Sequence, residues 1–174
     1  MQNPPAKISF RFATPADAEA LARVQTKAMD AVAKGGLPDP QRTFTAKLEK
    51  MKLTLSKDTV DKVLVATIDK NPVGFILHDV PFSSEPAMLF IDKFYVETPH
   101  QHIGTKLFEK FCKIHPEADS LHLKANDESL PIYKKMGFEQ TSDYDMKMSK
   151  EKLDEWRSNL VHDRARAKKQ SLDM

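Results

Sequence analysis

The sequence has little of what secreted or membrane proteins usually contain. Its 174 residues include one cysteine, Cys112, and no apolar run approaches the roughly 18 residues that a membrane-spanning helix needs. A single cysteine excludes an intramolecular disulfide and favours a reducing compartment, and the apolar residues around it predict a buried thiol rather than a nucleophile. Residues 1–7 also lack the apolar core of a secretory signal. We therefore expect a cytoplasmic protein with no membrane partner.

An excess of charge of one sign is also missing. The 27 basic and 25 acidic residues nearly cancel, and a formal net charge of +2 argues against nucleic acid as a partner. Hydrophobic residues make up 40% of the chain, which is enough for a globular core. The length suits one domain better than two.

What the sequence does contain is a succession of apolar patterns typical of strands and helices. These patterns follow one another in the order β-α-α-β-β-β-α-β-α-β-β. Local signals mark several boundaries: Thr14-Pro15 at a helix start, Asp69–Pro72 at a hairpin turn, and Gly137 after a helix. We predict a mixed α/β domain at residues 1–149. A C-terminal helical extension and tail, residues 150–174, is expected to dock through Trp156.

Two segments in the second half of the chain indicate a function. In the first, Ile91–Phe108, a predicted strand leads through a short loop containing Gln101 and Gly104 into a predicted helix. In the second, Leu123–Phe138, the spacing is Asn-x6-Tyr-x3-Gly-Phe, from Asn126 to Phe138. The two segments resemble the GNAT superfamily of N-acetyltransferases: the first is similar to its fourth strand, pyrophosphate loop and third helix, and the second to its Asn-x-x-Ala-x-x-x-Tyr-x-x-x-Gly-Phe segment.

This resemblance covers roughly residues 7–148, and within the superfamily it is nearest to the polyamine-type enzymes. It implies a GNAT-like mixed central sheet of six to seven strands flanked by helices, to which the C-terminal helix is added. It also implies that acetyl-CoA is the cosubstrate.

The resemblance implies which residues bind the coenzyme. Its pyrophosphate would lie at the start of the third helix, where main-chain N–H groups and the helix dipole favour an anion. The pantetheine arm would pair as an extra strand with the predicted strand, and the residue matching the family asparagine would contact it. The coenzyme-binding residues predicted in this way are Phe94, Tyr95, Val96, Gln101, His102, Ile103, Gly104, Thr105, Lys106, Asn126, Ser129 and Tyr133.

Two features of these segments leave alternatives open. The loop keeps the family's glutamine and middle glycine but has Lys106 in place of a small residue; in the other register, His102 replaces the first glycine. Ordinary strand packing is an alternative role for Phe94–Val96, and a helix cap is an alternative role for Asn126.

The same resemblance makes Tyr133 the predicted general acid that protonates the departing thiolate; its alternative is a core tyrosine. Asp92, on the predicted strand, is the predicted general base that accepts the proton of the amine, directly or through water. Glu97 and His78 are weaker candidates. No metal site is predicted, because His100-x-His102 has no further ligand near it.

The resulting prediction is an N-acetyltransferase that acts by direct transfer in a ternary complex, with a primary amine of a small molecule or peptide as acceptor. Acidic residues such as Asp39, Asp79, Glu85 and Asp92 favour a cationic amine. A homodimer is an open alternative to a monomer. The competing hypothesis is a non-catalytic or weakly CoA-binding module that serves regulation or dimerisation.

Overall fold

The computed structural model describes residues 7–33, 35–56, 62–79, 87–97 and 102–158. These residues form seven strands and five helices: β1 (Ile8–Phe12), α1 (Ala18–Val32), α2 (Pro40–Ser56), β2 (Val63–Ile68), β3 (Asn71–Asp79), β4 (Met88–Val96), α3 (Ile103–Ile114), β5 (Ser120–Lys124), α4 (Leu130–Met136), β6 (Glu139–Gln140), β7 (Asp145–Met148) and α5 (Lys150–Arg157). The strand order in the sheet is β1-β2-β3-β4-β5-β7-β6. The predicted mixed α/β class and order of elements are confirmed. In the part of the chain described, no helix combines the length and hydropathy that crossing a membrane requires.

The chain divides into two compact units. The first unit consists of Met1–His78 and Asp92–Phe108, and the second consists of Asp79–Ile91 and Glu109–Met174. Both β4 and α3 therefore contribute residues to each unit.

The first unit contains an antiparallel arrangement of β1, β2 and β3. β2 and β3 are joined by a tight turn in which Asp69 and Lys70 have φ angles of 50° and 69°, as the two central residues of a type I′ hairpin turn require. The apolar faces of α1 and α2 pack on these strands, with Leu21, Met51 and Phe75 in the shared core. The hairpin predicted at this place is confirmed.

A pair of charged side chains defines the entrance to α1. Asp17 accepts two hydrogen bonds from Arg11, at 2.7 and 2.8 Å, and a third from the N–H of Thr14 at 2.7 Å. Residues Pro15–Asp17 form a 3-10 turn before the α-helix begins, with proline at its first position. The helix start predicted at Thr14-Pro15 is confirmed, although its first turn is tighter than an α-helix.

The second unit contains the parallel pairing of β4 with β5 and the antiparallel pairing of β7 with β5 and β6. α4 ends at Gly137, which has a φ of 108°, and the predicted helix end is confirmed. α5 packs through Trp156, which is 5% exposed and whose indole N–H donates to the carbonyl of Met136 at 3.0 Å. The predicted docking through Trp156 is confirmed, while the domain boundary at residues 149 and 150 stays a prediction.

The single cysteine lies inside the second unit. Cys112 is 1% exposed, and burial raises the pKa of its thiol to about 12. A thiol held neutral in this way is a weak nucleophile. The prediction that Cys112 is a buried structural residue is confirmed.

Candidate functional site

The C-terminal half of β4 extends beyond its pairing with β5. The β4–β5 register runs from Met88 opposite Ser120 to Ile91 opposite Leu123, whereas β4 continues to Val96. Five residues of β4 thus follow its last partner in β5.

The opposite edge of this segment is bonded to β3. The N–H of Glu97 donates to the carbonyl of Val73 at 2.8 Å, and a Cβ added to Gly74 would lie 3.1 Å from the carbonyl oxygen of Tyr95. Glu97 and Tyr95 therefore direct their main-chain groups toward β3. Because main-chain groups alternate along a strand, the N–H of Val96 points toward the other edge. Such an N–H can bind an extended ligand or polarise a carbonyl.

The side chains of this segment have packing roles. The ring of Phe94 stacks on Phe108 of α3 at a centroid distance of 6.1 Å. The ring of Tyr95 lies on the other face of the strand, 5.9 Å from Phe75. The structure therefore contains the packing that was considered as the alternative role for Phe94 and Tyr95, and a ligand role for this segment stays a prediction.

The start of α3 follows a residue in an unusual conformation. His102 is exposed and has a φ of 58°, in the left-handed region where residues other than glycine are uncommon. The carbonyl of His102 accepts from the N–H of Lys106 at 3.1 Å, so His102 is the residue that precedes the helix. In general, the N–H groups in the first turn of a helix have no partner within the helix and carry the positive end of its dipole. Gln101 lies outside the described residues.

The residues in the first turn of α3 have different orientations. Ile103 is 2% exposed, so its side chain belongs to the core and only its N–H can meet a ligand. A Cβ on Gly104 would lie 3.5 Å from a methyl group of Val96, an ordinary van der Waals distance, so this face of α3 lies beside Val96 with room for a methyl group. Thr105 is half-buried and Lys106 is exposed. The first turn therefore presents main-chain donors together with one mobile positive charge.

In the second unit, Asn126 and Ser129 bond to each other. The side-chain oxygen of Asn126 accepts from the N–H of Ser129 at 2.8 Å, and the hydroxyl of Ser129 accepts from the N–H of Asn126 at 2.9 Å. This is a reciprocal cap at the entrance to the helical turn before α4. The structure therefore contains the cap considered as the alternative role for Asn126.

Tyr133 lies on α4 and is half-buried. Its ring meets Phe138 edge-on at 5.6 Å, and the N–H of Phe138 donates to the carbonyl of Tyr133 at 3.0 Å. Phe138 is 3% exposed and anchors this end of the helix. The spacing of the second motif is thus that of a capped helix whose last turn is held by a glycine and a buried aromatic ring.

The candidate bases have unequal access to a substrate. Asp92 is exposed on β4. Glu97 forms an ion pair with Lys27 of α1, and its side chain is 25% exposed. His78 is 5% exposed, which makes it the least accessible of the three. Among them, Asp92 has the environment best suited to exchange a proton through water.

Two of the acidic residues expected near the acceptor also have a clear placement. Asp39 accepts from the N–H of Arg42 at 3.0 Å and therefore caps α2. Asp79 is the exposed last residue of β3, and Glu85 lies outside the described residues. A capping carboxylate at a helix N-terminus is already stabilised by the helix dipole.

The sequence did not predict a group of basic residues around Lys93. Lys93 is half-buried, and burial lowers the pKa of its ammonium group; the charges of Lys47 and Lys50 on α2 lower the pKa further, while Asp92 opposes this. By strand alternation Lys93 shares the sheet face of Tyr95, which packs against the α1–α2 core. Strand alternation is a local pattern, but the nearness of α2 to Lys93 is a tertiary feature.

Comparison with known proteins places the chain in a family. The family model described as "Acetyltransferase (GNAT) domain" matches residues 24–156. Among curated protein sequences, none matches this chain significantly.

Solved structures share the fold. PaiA N-acetyltransferase from Thermoplasma acidophilum, crystallised with coenzyme A, is 21% identical over 82% of this chain and 99% of its own, with a TM-score of 0.67. A GCN5-related N-acetyltransferase from Rhodopseudomonas palustris is 20% identical over 85% of this chain and 99% of its own, with a TM-score of 0.63. A GNAT family acetyltransferase from Brucella melitensis, crystallised with acetyl-CoA, is 18% identical over 83% of this chain and 88% of its own, with a TM-score of 0.55.

Proposed function

The chain belongs to the GNAT acetyltransferase family, and from this premise we propose that it transfers the acetyl group of acetyl-CoA to a primary amine in a ternary complex. The amine nitrogen attacks the thioester carbonyl carbon, the carbon–sulfur bond breaks, and the thiolate leaves with the coenzyme. The observation that carries the proposal is the C-terminal half of β4, where the N–H of Val96 points to the edge opposite β3. The resemblance read from the sequence is confirmed at the level of the family.

Val96 is proposed to hold the thioester. Pairing of the pantetheine arm with this edge would align the thioester carbonyl with the N–H of Val96. Negative charge develops on that oxygen when the amine attacks, and a fixed N–H donor stabilises the charge. The side chains of Phe94 and Tyr95 support this edge by packing on opposite sides of the strand.

The start of α3 is proposed to hold the pyrophosphate. The N–H groups of Ile103, Gly104 and Thr105 would donate to phosphate oxygens, and the exposed ammonium group of Lys106 would add a charge. Removing this charge should weaken binding of acetyl-CoA and leave S-acetylpantetheine, which lacks the pyrophosphate, unaffected.

Lys106→Gln tests this assignment. We expect KM for acetyl-CoA to rise by about 3- to 10-fold, the usual size of a partly exposed charge-assisted contact, and KM for S-acetylpantetheine to stay unchanged. Lys110→Gln, which removes another exposed lysine of α3, is the matched control. An equal rise for both acyl donors would contradict the assignment.

Tyr133 and Asp92 are the proposed acid and base. A phenol, with an ordinary pKa of about 10, is a suitable acid for a departing thiolate. Asp92, which is exposed, would receive the amine proton through water. Asn126 and Ser129 are proposed to act on the coenzyme through the helix entrance that they cap.

Tyr133→Phe separates chemistry from binding. We expect kcat to fall by at least about 10-fold, within the range of general acid catalysis, with little change in KM for acetyl-CoA. Tyr144→Phe removes the hydroxyl of an exposed tyrosine that bonds to Asp127 and serves as the control. Release of free thiol measures turnover, and an unchanged kcat would remove Tyr133 from the mechanism.

The alternative function is a module that does not bind the coenzyme productively. His102 favours it, because a left-handed residue other than glycine occupies the loop where the family pattern has glycine in one register. The two functions differ in thermal stability with ligand. Acetyl-CoA at 100 times its Kd should add about 2.7 kcal/mol to the free energy of unfolding, and an absent shift would favour the module.

A further inference from the structure

In the first unit, Lys93 of β4 lies by strand alternation on the face of Tyr95, and Tyr95 packs against the same hydrophobic core as Leu48 of α2, the neighbour of Lys47. Lys93 of β4 and Lys47 of α2 are half-buried, and Lys50 is exposed one turn along the same helix. Lys47 and Lys50 lie close enough to Lys93 for their charges to disfavour its protonated form. We call Lys47, Lys50 and Lys93 the lysine cluster.

In the part of the chain that the structure describes, the charges of the lysine cluster are not paired with carboxylates. Among the residues described, no carboxylate forms an ion pair with any of its three ammonium groups. Of the acidic side chains described, Asp92 raises the pKa of Lys93; it is exposed and lies on the opposite face of the strand by alternation. A half-buried positive charge beside two others is unfavourable, and a bound anion relieves both the desolvation and the repulsion.

The lysine cluster also has a defined position along β4. Lys93 precedes Val96 by three residues, which corresponds to about 10 Å of strand. The lysine side chain is long and flexible, so its ammonium group can cover part of this separation. An anion held by Lys93 would therefore lie within one small molecule's length of the acyl group that Val96 is proposed to position.

We propose that the lysine cluster binds a carboxylate carried by the acceptor, so that the acceptor is an amine with a carboxylate at its other end. This inference rests on the proposed acetyl transfer and specifies its substrate class. The acceptor inferred here carries an anionic group as well as the amine, whereas the acidic residues of the sequence favoured a cationic amine. One of those residues, Asp39, already caps α2.

The test compares three acceptors of equal length: 6-aminohexanoate, 6-aminohexanamide and 1,6-diaminohexane. We expect kcat/KM for 6-aminohexanoate to exceed that for the amide by at least about 10-fold, since hydrogen bonds to a charged group usually contribute a factor of this size. In Lys93→Gln this preference should fall to about 2-fold or less, while Lys93→Arg retains most of it. Lys52→Gln, which removes an exposed lysine of α2 outside the cluster, should keep the full preference.

Each contrary result has a distinct meaning. Equal rates for the acid and the amide, or a preference for the diamine, would overturn the carboxylate assignment while leaving acetyl transfer intact. Lys93→Gln could instead raise KM for acetyl-CoA but not for S-acetylpantetheine. That result would assign the cluster to a coenzyme phosphate and would also overturn the carboxylate assignment.

A binding measurement keeps the inference separate from the proposed activity. Reductive ¹³C-methylation makes the ammonium group of Lys93 visible by NMR. Titration with butyrate should shift the Lys93 signal, and butyramide should not. Equal responses to butyrate and butyramide would refute the anion site, even in a protein that acetylates no acceptor, whereas failure of the proposed function would appear as no thermal stabilisation by acetyl-CoA.

Discussion

Gly137 combines two separate obstacles to a larger side chain, and both can be measured. Its φ of 108° lies in a region that residues with a Cβ rarely adopt. A Cβ at this position would also overlap the side chain of Lys152 on α5, with its Cγ at 2.8 Å and its Cε closer still. The replacement Gly137→Ala therefore tests both the left-handed helix end and the packing of α5 beside it.

The magnitude follows from these two contributions. A left-handed residue other than glycine costs about 1–2 kcal/mol, and the lower entropy of alanine in the unfolded chain returns about 0.4–1 kcal/mol. To avoid overlap, Lys152 must change rotamer and give up its ion pair with Glu155 at 2.9 Å. Because both members of this pair are about one-third exposed, that loss and the poorer rotamer together add about 1 kcal/mol. We expect Gly137→Ala to lower the free energy of unfolding by about 2 kcal/mol.

Two other glycines provide matched controls. Gly35 has a φ of 83° but no atom within 4 Å of its hypothetical Cβ, so Gly35→Ala should show the backbone cost alone, about 0.5–1 kcal/mol. Gly104 lies in a helix and has room for a methyl group, so Gly104→Ala should be neutral or stabilising by up to about 1 kcal/mol. Urea unfolding at pH 7 followed by circular dichroism measures all three variants.

A double-mutant cycle separates the two contributions at Gly137. In the Lys152→Ala background the overlap is gone, so the cost of Gly137→Ala should fall to that of Gly35→Ala. If the cost in wild type is no larger than that of Gly35→Ala, or if Lys152→Ala leaves it unchanged, the overlap does not act as described.

Three further substitutions test other parts of the structure. Hydrogen bonding from Arg11 lowers the pKa of Asp17, so this pair stabilises the fold above the unfolded carboxyl pKa of about 4. The stabilisation is lost as pH falls through the folded pKa of Asp17. By urea unfolding, Arg11→Met should therefore lower the free energy of unfolding by about 1 kcal/mol at pH 7 and by almost nothing at about pH 2. The side chain of Arg157 is 15% exposed and donates to three main-chain carbonyls at and beyond the end of α3. Arg157→Met should therefore lower the free energy of unfolding by about 2–4 kcal/mol, and Arg157→Lys should lower it clearly less. Equal losses of stability for the two variants in calorimetry would contradict this role. His102→Gly removes the left-handed strain but adds unfolded-state entropy, so stability should change by less than about 1 kcal/mol, and a loss of 2 kcal/mol or more would mean that the imidazole makes a structural contact.

Much of the fold was predictable because its signals are local. β2 (Val63–Ile68) is a continuous run of mostly apolar residues, and the Asp69–Pro72 segment predicted the turn that follows it. Thr14-Pro15 and Gly137 marked a helix start and a helix end for stereochemical reasons that act within a few residues. The reciprocal cap of Asn126 and Ser129 is equally local, and its Asn-x-x-Ser spacing could have been recognised as a cap.

The candidate site was predictable only in part. The spacing of the second motif identified the family, because the offsets between Asn126, Tyr133 and Gly137 reflect the geometry of one capped helix. The position of Gly104 beside Val96 was not predictable, since it depends on the direction in which α3 meets β4. The engagement of Glu97 by Lys27, seventy positions earlier in the chain, was equally hidden.

By itself the sequence determined the order of elements, the places where helices begin and end, and the family, because each depends on residues within about one turn or one strand of one another. Tertiary structure alone decided how much of β4 continues beyond its pairing with β5 and which charges surround Lys93. Both depend on the packing of segments far apart in the chain, since Lys47 and Lys93 are brought together only when α2 lies across the sheet. The positive charge around Lys93 is therefore a property of the fold rather than of any motif.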